Sequence, residues 1–368
     1  MRPTWADIDL SAVAHNVDSL IRHVAPAQVC VVVKADGYGH GAVPVGRAAV
    51  EAGATWLAVA LVEEGRVLRE AGLEVPILVL SEPRPAEMVE VVAHRLTPTV
   101  YSGEGLAAAA AAAAQSGTEL LVQMKIDTGM GRVGARPTDA LALANAIADK
   151  QSLRLDGVWT HCAIADVVDD PYTEKQLDIY NQALAELEAN GHELTWRHAA
   201  NSAVALAHPR GHYDLVRCGI AVYGIPPSPA FDGVVDLQPV MRLRSQVSFV
   251  KRINAGDRVS YGLSWEAGTD TTIATVPIGY ADGIRRRSSA VGAQVLIGGK
   301  RYPMVGTVTM DQLLVDCGDD PVTSGDDVVI IGRQGDDEIT AQECATRLDT
   351  IGYEVVCDIE SRVTRRYI

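Results

Sequence analysis

Short runs of apolar, mostly β-branched residues recur along the first two thirds of the chain, separated by stretches with helical spacing. The runs fall at residues 29–33, 56–60, 77–80, 97–101, 120–126, 157–160, 196–199 and 215–217. Between them, residues 62–70, 137–149 and 171–190 read as helices. The last opens on Pro171, suited to a first helical turn, and stops at Asn190-Gly191. Apolar strands alternating with helices predict a parallel sheet covered on both faces. Eight such units predict a (β/α)8 barrel of the α/β class. An open doubly wound sheet is the competing arrangement, and no G-x-G-x-x-G follows the first strand to support it.

Beyond about residue 229 the helical spacing fades. Runs rich in Val, Ile and Thr predict strands at 246–253, 272–276, 293–297, 307–315 and 327–331, with turns at Ala255-Gly256-Asp257 and Gly298-Gly299-Lys300. A chain of 368 residues exceeds one ordinary core. The expected organisation is a barrel over residues 8–232 and a mostly-β domain over 233–368, with residues 1–7 candidates to join the second.

The net charge of −15 is spread along the chain, which argues against a nucleic-acid partner and against an anionic membrane surface. No apolar run reaches transmembrane length, and no signal region opens the chain. The six cysteines are far apart, and neither CxxC nor HExxH spacing occurs. No metal site and no disulfide framework are expected, and a reducing cytoplasm is the expected compartment.

Chemistry in such a barrel sits where the strands end. Lys34 ends the first strand and precedes a loop of glycines and aromatics. As a strand-end cation it is open to two readings: a side chain reaching to solvent, or a partly desolvated nucleophile able to form a Schiff base. Other polar residues arrive at the same rim. Lys125 and the run to Arg132 end the fifth strand, His161 the sixth and Arg217 the eighth, and Asn201-Ser202 follow the seventh. Ser202 and the backbone of Cys218-Gly219-Ile220 lie where this fold usually binds phosphate. A reactive lysine with a phosphate cradle suggests pyridoxal 5'-phosphate.

Six separated motifs then occur in order. They are Val33-Lys34-Ala35-Asp36-Gly37-Tyr38-Gly39-His40-Gly41, Lys125-Ile126-Asp127-Thr128-Gly129-Met130-Gly131-Arg132-Val133-Gly134, His198-Ala199-Ala200-Asn201-Ser202, Val216-Arg217-Cys218-Gly219-Ile220, Val259-Ser260-Tyr261-Gly262 and Val305-Gly306-Thr307-Val308-Thr309-Met310-Asp311-Gln312. Together they resemble the alanine racemase family of fold-type III pyridoxal-phosphate enzymes over essentially the whole chain. The resemblance implies interconversion of L- and D-alanine, with D-alanine supplied for peptidoglycan, in a head-to-tail homodimer with shared sites. A preference for another small amino acid such as serine is the alternative.

The same resemblance implies the roles. Lys34 would carry the cofactor as a Schiff base and act as one base. Tyr261 of the partner would be the other, linked through His161 to Arg217. Tyr38, Ser202 and Tyr353 would bind phosphate with the Gly219 and Ile220 backbone. Arg217 would face the ring nitrogen and Arg132 the phenolic oxygen, while Met310 and Asp311 of the partner would meet the substrate carboxylate. Lys125 matches a lysine that some members carbamylate, which would pair with Arg132. Tyr280 falls in the family's entry loop. The chain departs from the pattern at Cys162, where an aromatic is common, and at Cys218, where proline is common.

Two bases on opposite faces can racemise a bound amino acid without turning it over. Lysine and tyrosine ordinarily titrate near ~10.4 and ~10, so each base needs an environment that favours its deprotonated form. On this reading, cationic character from His161 and Arg217 favours the tyrosine phenolate. An arginine, which does not give up its proton, would leave the ring nitrogen unprotonated and restrain side reactions.

Overall fold

The computed structural model describes residues 2–368 and divides them into two compact units. One comprises residues 12–37 and 42–238, the other residues 2–11, 38–41 and 239–368. The first strand, β1 (Thr4–Ile8), lies in the second of these units.

The larger unit is built on eight parallel strands. They are β2 (Gln28–Val32), β3 (Trp56–Val59), β4 (Ile77–Val79), β5 (Thr97–Val100), β6 (Leu120–Lys125), β7 (Leu153–Trp159), β8 (Trp196–His198) and β9 (Leu215–Cys218). Their order is β8-β7-β6-β5-β4-β3-β2-β9. The sheet nearly closes into a barrel: across the β8–β9 seam Arg217 N–H donates to Ala200 O (3.0 Å) and Asp214 N–H to Arg197 O (3.1 Å). The Arg197 side chain also grips Asp214 at 2.8 Å.

The helices cover the strands with apolar faces. In Tyr172–Ala189, the buried Thr173, Gln176, Leu177, Tyr180, Ala183, Leu184 and Leu187 follow the 3- and 4-residue spacing of one helical stripe. The helix Gly103–Ser116 carries a run of alanines over residues 107–114. Ser102 caps its start by accepting from Gly105 N–H (3.0 Å), and Gly117 ends it at a φ of 68° that few other residues adopt. Inside the barrel, Trp56 and Trp196 meet edge to face, their ring centroids 5.5 Å apart.

The smaller unit is strand-rich. It adds β10 (Met241–Gln246), β11 (Phe249–Ile253), β12 (Arg258–Val259), β13 (Trp265–Glu266), β14 (Thr271–Val276), β15 (Gln294–Ile297), β16 (Lys300–Val305), β17 (Leu313–Asp316), β18 (Asp327–Gln334), β19 (Asp337–Ile339) and β20 (Thr364–Tyr367). One mixed sheet runs β11-β14-β17-β16-β15-β18-β10-β1-β20, with β19 paired to β18. β1 is antiparallel to β10 and parallel to β20, so both ends of the chain are tied into this sheet.

Two strands differ from expectation. The run 246–253 breaks at Val247-Ser248, where the Ser248 N–H and hydroxyl both donate to Thr275 O (2.8 and 3.0 Å). The run 307–315 is strand only at Leu313–Asp316. Its threonines favour a loop through side-chain bonds, Thr309 Oγ1 donating to Gln312 O at 2.9 Å.

Candidate active site

Lys34 follows β2 directly, at the head of a turn of the wrong hand for L-residues. Ala35, Asp36 and Gly37 have φ of 52°, 50° and 62°, and Tyr38 has φ of 53°. Gly37 N–H donates back to Val33 O at 2.8 Å, closing a single left-handed helical turn. Each non-glycine residue in this conformation costs about 1–2 kcal/mol, so the surroundings must hold the turn in place. Glu64 accepts from Ala35 N–H (2.7 Å), Asp36 accepts from Ala42 N–H (2.8 Å), and Tyr223 Oη donates to Val32 O (2.9 Å). A side chain on Gly37 would come within 3.1 Å of Ala42 N.

Next to it lies a cluster of cations with few acids. Arg217 pairs in register with Cys30 of β2 and is buried. Among the described residues it meets no carboxylate. It donates to the carbonyls of Thr160 (2.7 Å), His198 (3.2 Å) and Ala199 (3.2 Å), to His198 Nδ1 (2.8 Å) and to His161 Nδ1 (3.3 Å). Burial lowers its pKa to about 10. Lys125, in register with Trp159, sits 4.3 Å from that ring's centroid, and the Arg217 guanidinium 4.7 Å from it. Burial first, then Arg217 and Arg132, lower Lys125 to about 7, with Asp127 opposing and Lys34 adding to the repulsion.

His161 is driven well below its usual range by burial, Arg217, Lys125, Arg132 and Lys34. The shift favours the neutral imidazole, against the expectation that the ring lends cationic character. Arginine only donates, so His161 Nδ1 accepts and Nε2 carries the proton. Its carbonyl is held by Gln176 Nε2 (3.2 Å), which also reaches Thr128 Oγ1 (3.3 Å).

Arg132 is exposed on a loop folded around Asp127, whose carboxylate accepts from Gly129 and Gly131 N–H (3.0 and 3.1 Å). Ser202 opens the helix Ser202–Ala207 after β8. Its Oγ accepts from the N–H groups of Gly219 (3.0 Å) and Ala221 (3.4 Å), which brackets the Ile220 amide between them. This donor set and the excess of cations suit a ligand with several negative charges. Cys162 and Cys218, beside Arg217, are pushed up to about 11 and about 12 by burial, so they are packing groups rather than nucleophiles.

The remaining expected residues belong to the strand-rich unit. Tyr38 and Tyr353 have ring centroids 6.3 Å apart. Tyr261 is 72% exposed, in the loop joining β12 and β13. Its backbone is tightly held: Ser260 and Leu263 have φ of 64° and 48°, Thr307 Oγ1 donates to Tyr261 O (2.9 Å), and Ser260 Oγ donates to Thr307 O (2.5 Å). Backbone strain of this kind clusters at functional sites. Met310 is exposed, and its carbonyl accepts from Ala281 N–H (3.0 Å), beside Tyr280. Asp311 is paired with Arg362 (2.6 Å), which also approaches the buried Asp282 (3.4 Å).

Four residues beside the cluster carry no role in the sequence reading: Gln123, Trp159, Gln176 and His198. Gln123 and Lys125 share one face of β6, and Trp159 is the register partner of Lys125. Two-residue strand periodicity is the signal that points to both.

The chain matches the family models "Alanine racemase, N-terminal domain" over residues 8–227 and "Alanine racemase, C-terminal domain" over residues 240–367. It is 49% identical to the alanine racemase of Symbiobacterium thermophilum over 368 residues, covering 100% of this chain and 97% of that one. It is 43% identical to that of Desulfovibrio desulfuricans, covering 100% and 98%. Among solved structures, the alanine racemase of D-cycloserine producing Streptomyces lavendulae aligns with a TM-score of 0.95 at 39% identity, covering 100% and 97%. The Bacillus anthracis enzyme with bound L-Ala-P aligns with a TM-score of 0.94 at 38% identity, covering 100% and 95%.

Proposed function

The chain belongs to the alanine racemase family and is a racemase acting on alanine, and we propose that it works as a pyridoxal 5'-phosphate enzyme whose two bases are Lys34 and Tyr261. The relatives do not favour serine as the substrate. The observation that carries the cofactor reading is the barrel rim itself. Arg217, Arg132 and Lys34 all lie close enough to Lys125 to lower its pKa, with Asp127 opposing, beside the Ser202–Gly219 donor set.

When bound, the cofactor supplies an acceptor for the electron pair left as the α-proton departs. Lys34 would hold it covalently, Ser202 with the Gly219 and Ile220 amides would hold its phosphate, and Arg217 would face its ring nitrogen. Arg132 would neutralise its phenolic oxygen, with a carbamylated Lys125 as counter-charge. A lysine lowered to about 7 has the neutral amine that carbon dioxide requires. Tyr38 and Tyr353 would add phosphate contacts. Lys34 Nζ and Tyr261 Oη would take and return the α-proton on opposite faces. His161 Nε2–H, as part of a neutral ring, can donate to a phenolate without surrendering its proton. Tyr261, Met310 and Asp311 would serve the barrel of a partner subunit, making the working enzyme a homodimer. D-alanine for peptidoglycan, made in the cytoplasm, is the product role we assign. Among the described residues no helix is long and apolar enough to cross a membrane.

The test is borohydride reduction of the holoenzyme followed by peptide mass mapping, with a chiral assay on alanine. The cofactor's mass should appear on the peptide holding Lys34. Labelling of another lysine, or of none, would overturn the anchor.

A further inference from the structure

Thr99, Gln123, Gly157 and Trp196 form one register row across β5, β6, β7 and β8. Gln123 is fully buried, and its side chain passes beside Gly157. A Cβ at Gly157 would lie 3.3 Å from the Gln123 amide carbon and 2.7 Å from Trp196 O. Gly157 has no left-handed φ, so its missing side chain is a matter of space. Through that space Gln123 Oε1 reaches His198 Nε2 at 2.7 Å, while His198 Nδ1 lies 2.8 Å from the Arg217 guanidinium. The His198 ring is stacked on Trp159, centroids 5.8 Å apart and planes 12° from parallel, so it cannot turn freely.

The proton positions along this line follow from its one fixed member. Arg217 can only donate, so His198 Nδ1 must accept. His198 Nε2 then carries the ring's single proton and donates it to Gln123 Oε1. This sets the amide's orientation as well, because the flipped amide would face donor to donor. The Gln123 NH2 points away and has no partner, and neither has Thr99 Oγ1, its neighbour in the row. Leaving a buried amide half satisfied is costly, which argues that the amide is kept for its oxygen. A carboxylate at position 123 would favour a second proton on His198, and that proton would face the guanidinium.

We propose that Gln123 and His198 are positioning residues that hold Arg217 in its working orientation through a one-way chain of hydrogen bonds. In doing so they restrain the side reaction in which alanine loses its amino group to the cofactor and leaves as pyruvate. This rests on the reading that Arg217 faces the cofactor's ring nitrogen.

The experiment measures pyruvate released per racemisation event in the holoenzymes of wild type, Gln123→Glu, Gln123→Met and the reference variant Arg217→Glu, with a thermal melt of each. Gln123→Glu should raise the ratio about tenfold, the equivalent of one hydrogen bond to a charged group, and Gln123→Met by less. A changed ratio with an unchanged melting temperature separates positioning from packing. If Arg217→Glu raises the ratio while both Gln123 variants match wild type, the positioning chain is overturned and the Arg217 reading stands. If Arg217→Glu leaves the ratio unchanged, the Arg217 reading fails instead. The hydrogen-bond chain is then judged by the ¹⁵N spectrum of histidine-labelled protein. That spectrum should show a neutral His198 protonated at Nε2, with the Nε2–H signal shifted in Gln123→Met by loss of its acceptor. A His198 protonated at Nδ1, or doubly protonated near neutral pH, would overturn it.

Discussion

Arg217 in the barrel and Arg301 in the strand-rich unit are both tightly held, yet by opposite means. Arg217 is surrounded by carbonyls and imidazoles, and burial pulls its pKa down. Arg301 is forked onto Asp337 (2.8 and 3.0 Å) and Glu343 (2.7 and 3.1 Å), and these bonds drive its pKa up. The second arrangement spends charge on charge within the fold and leaves nothing over. The first leaves Arg217 without a carboxylate partner among the described residues. A buried cation without a counter-ion weakens a fold, so its retention at the barrel rim speaks for an anionic ligand.

Several substitutions would break or sharpen that contrast. Arg217→Glu should have the largest effect, lowering racemisation by about 10³-fold, as for loss of a preorganised electrostatic contact. A chiral assay with pyruvate detection would read this, and an unchanged partition would sink the electronic role. Tyr261→Phe should slow proton removal by about 10²-fold, and from one enantiomer more than the other. Exchange of the α-proton in deuterium oxide measures it, and equal slowing of both enantiomers contradicts a two-base site.

In protein whose Lys125 carries no carbamyl group, Lys125→Met should stabilise the fold near pH 7 by on the order of 2 kcal/mol. The folded pKa of Lys125, about 7, lies below its unfolded value. Between pH ~7 and ~10 the unfolded chain holds a proton the folded one lacks, so wild-type stability should rise with pH there. Below ~7 the contribution is flat. Melting curves across that range should show the slope in wild type and lose it in the variant, and a variant less stable than wild type at pH 7 would contradict an unpaired buried amine. Smallest should be Arg301→Ala, costing about 1 kcal/mol and less in high salt. A loss insensitive to salt would mean that packing rather than ion pairing dominates.

The eight barrel strands are legible in the sequence because each is a compact apolar run between helical stretches. The strand-rich unit is less so. Val247-Ser248 and Thr307–Gln312 carry β-prone residues, and hydrogen bonds from Ser248 to Thr275 O, Thr307 to Tyr261 O and Thr309 to the nearby Gln312 O hold them as loops. At the rim, Lys34, Lys125, His161 and Arg217 stand out as polar residues ending apolar strands. Gln123, Trp159 and His198 do not, because their significance depends on which neighbours the barrel places across from them. The protonation of His161 is hidden for a similar reason. It depends on burial and on four nearby cations drawn from two strands, a turn and a loop.

The reversed hand of the turn after Lys34 has a consequence for how this stretch tolerates insertion and deletion. An ordinary helical turn can absorb an added residue by sliding along its own screw, because the flanking chain shares its handedness. A left-handed turn set between a strand and a right-handed helix cannot pass its geometry on in either direction. It acts as a fixed stop, and a residue gained or lost on its strand side would carry the lysine away from the rim. Length variation between residues 30 and 41 should therefore be rejected even where substitutions are accepted.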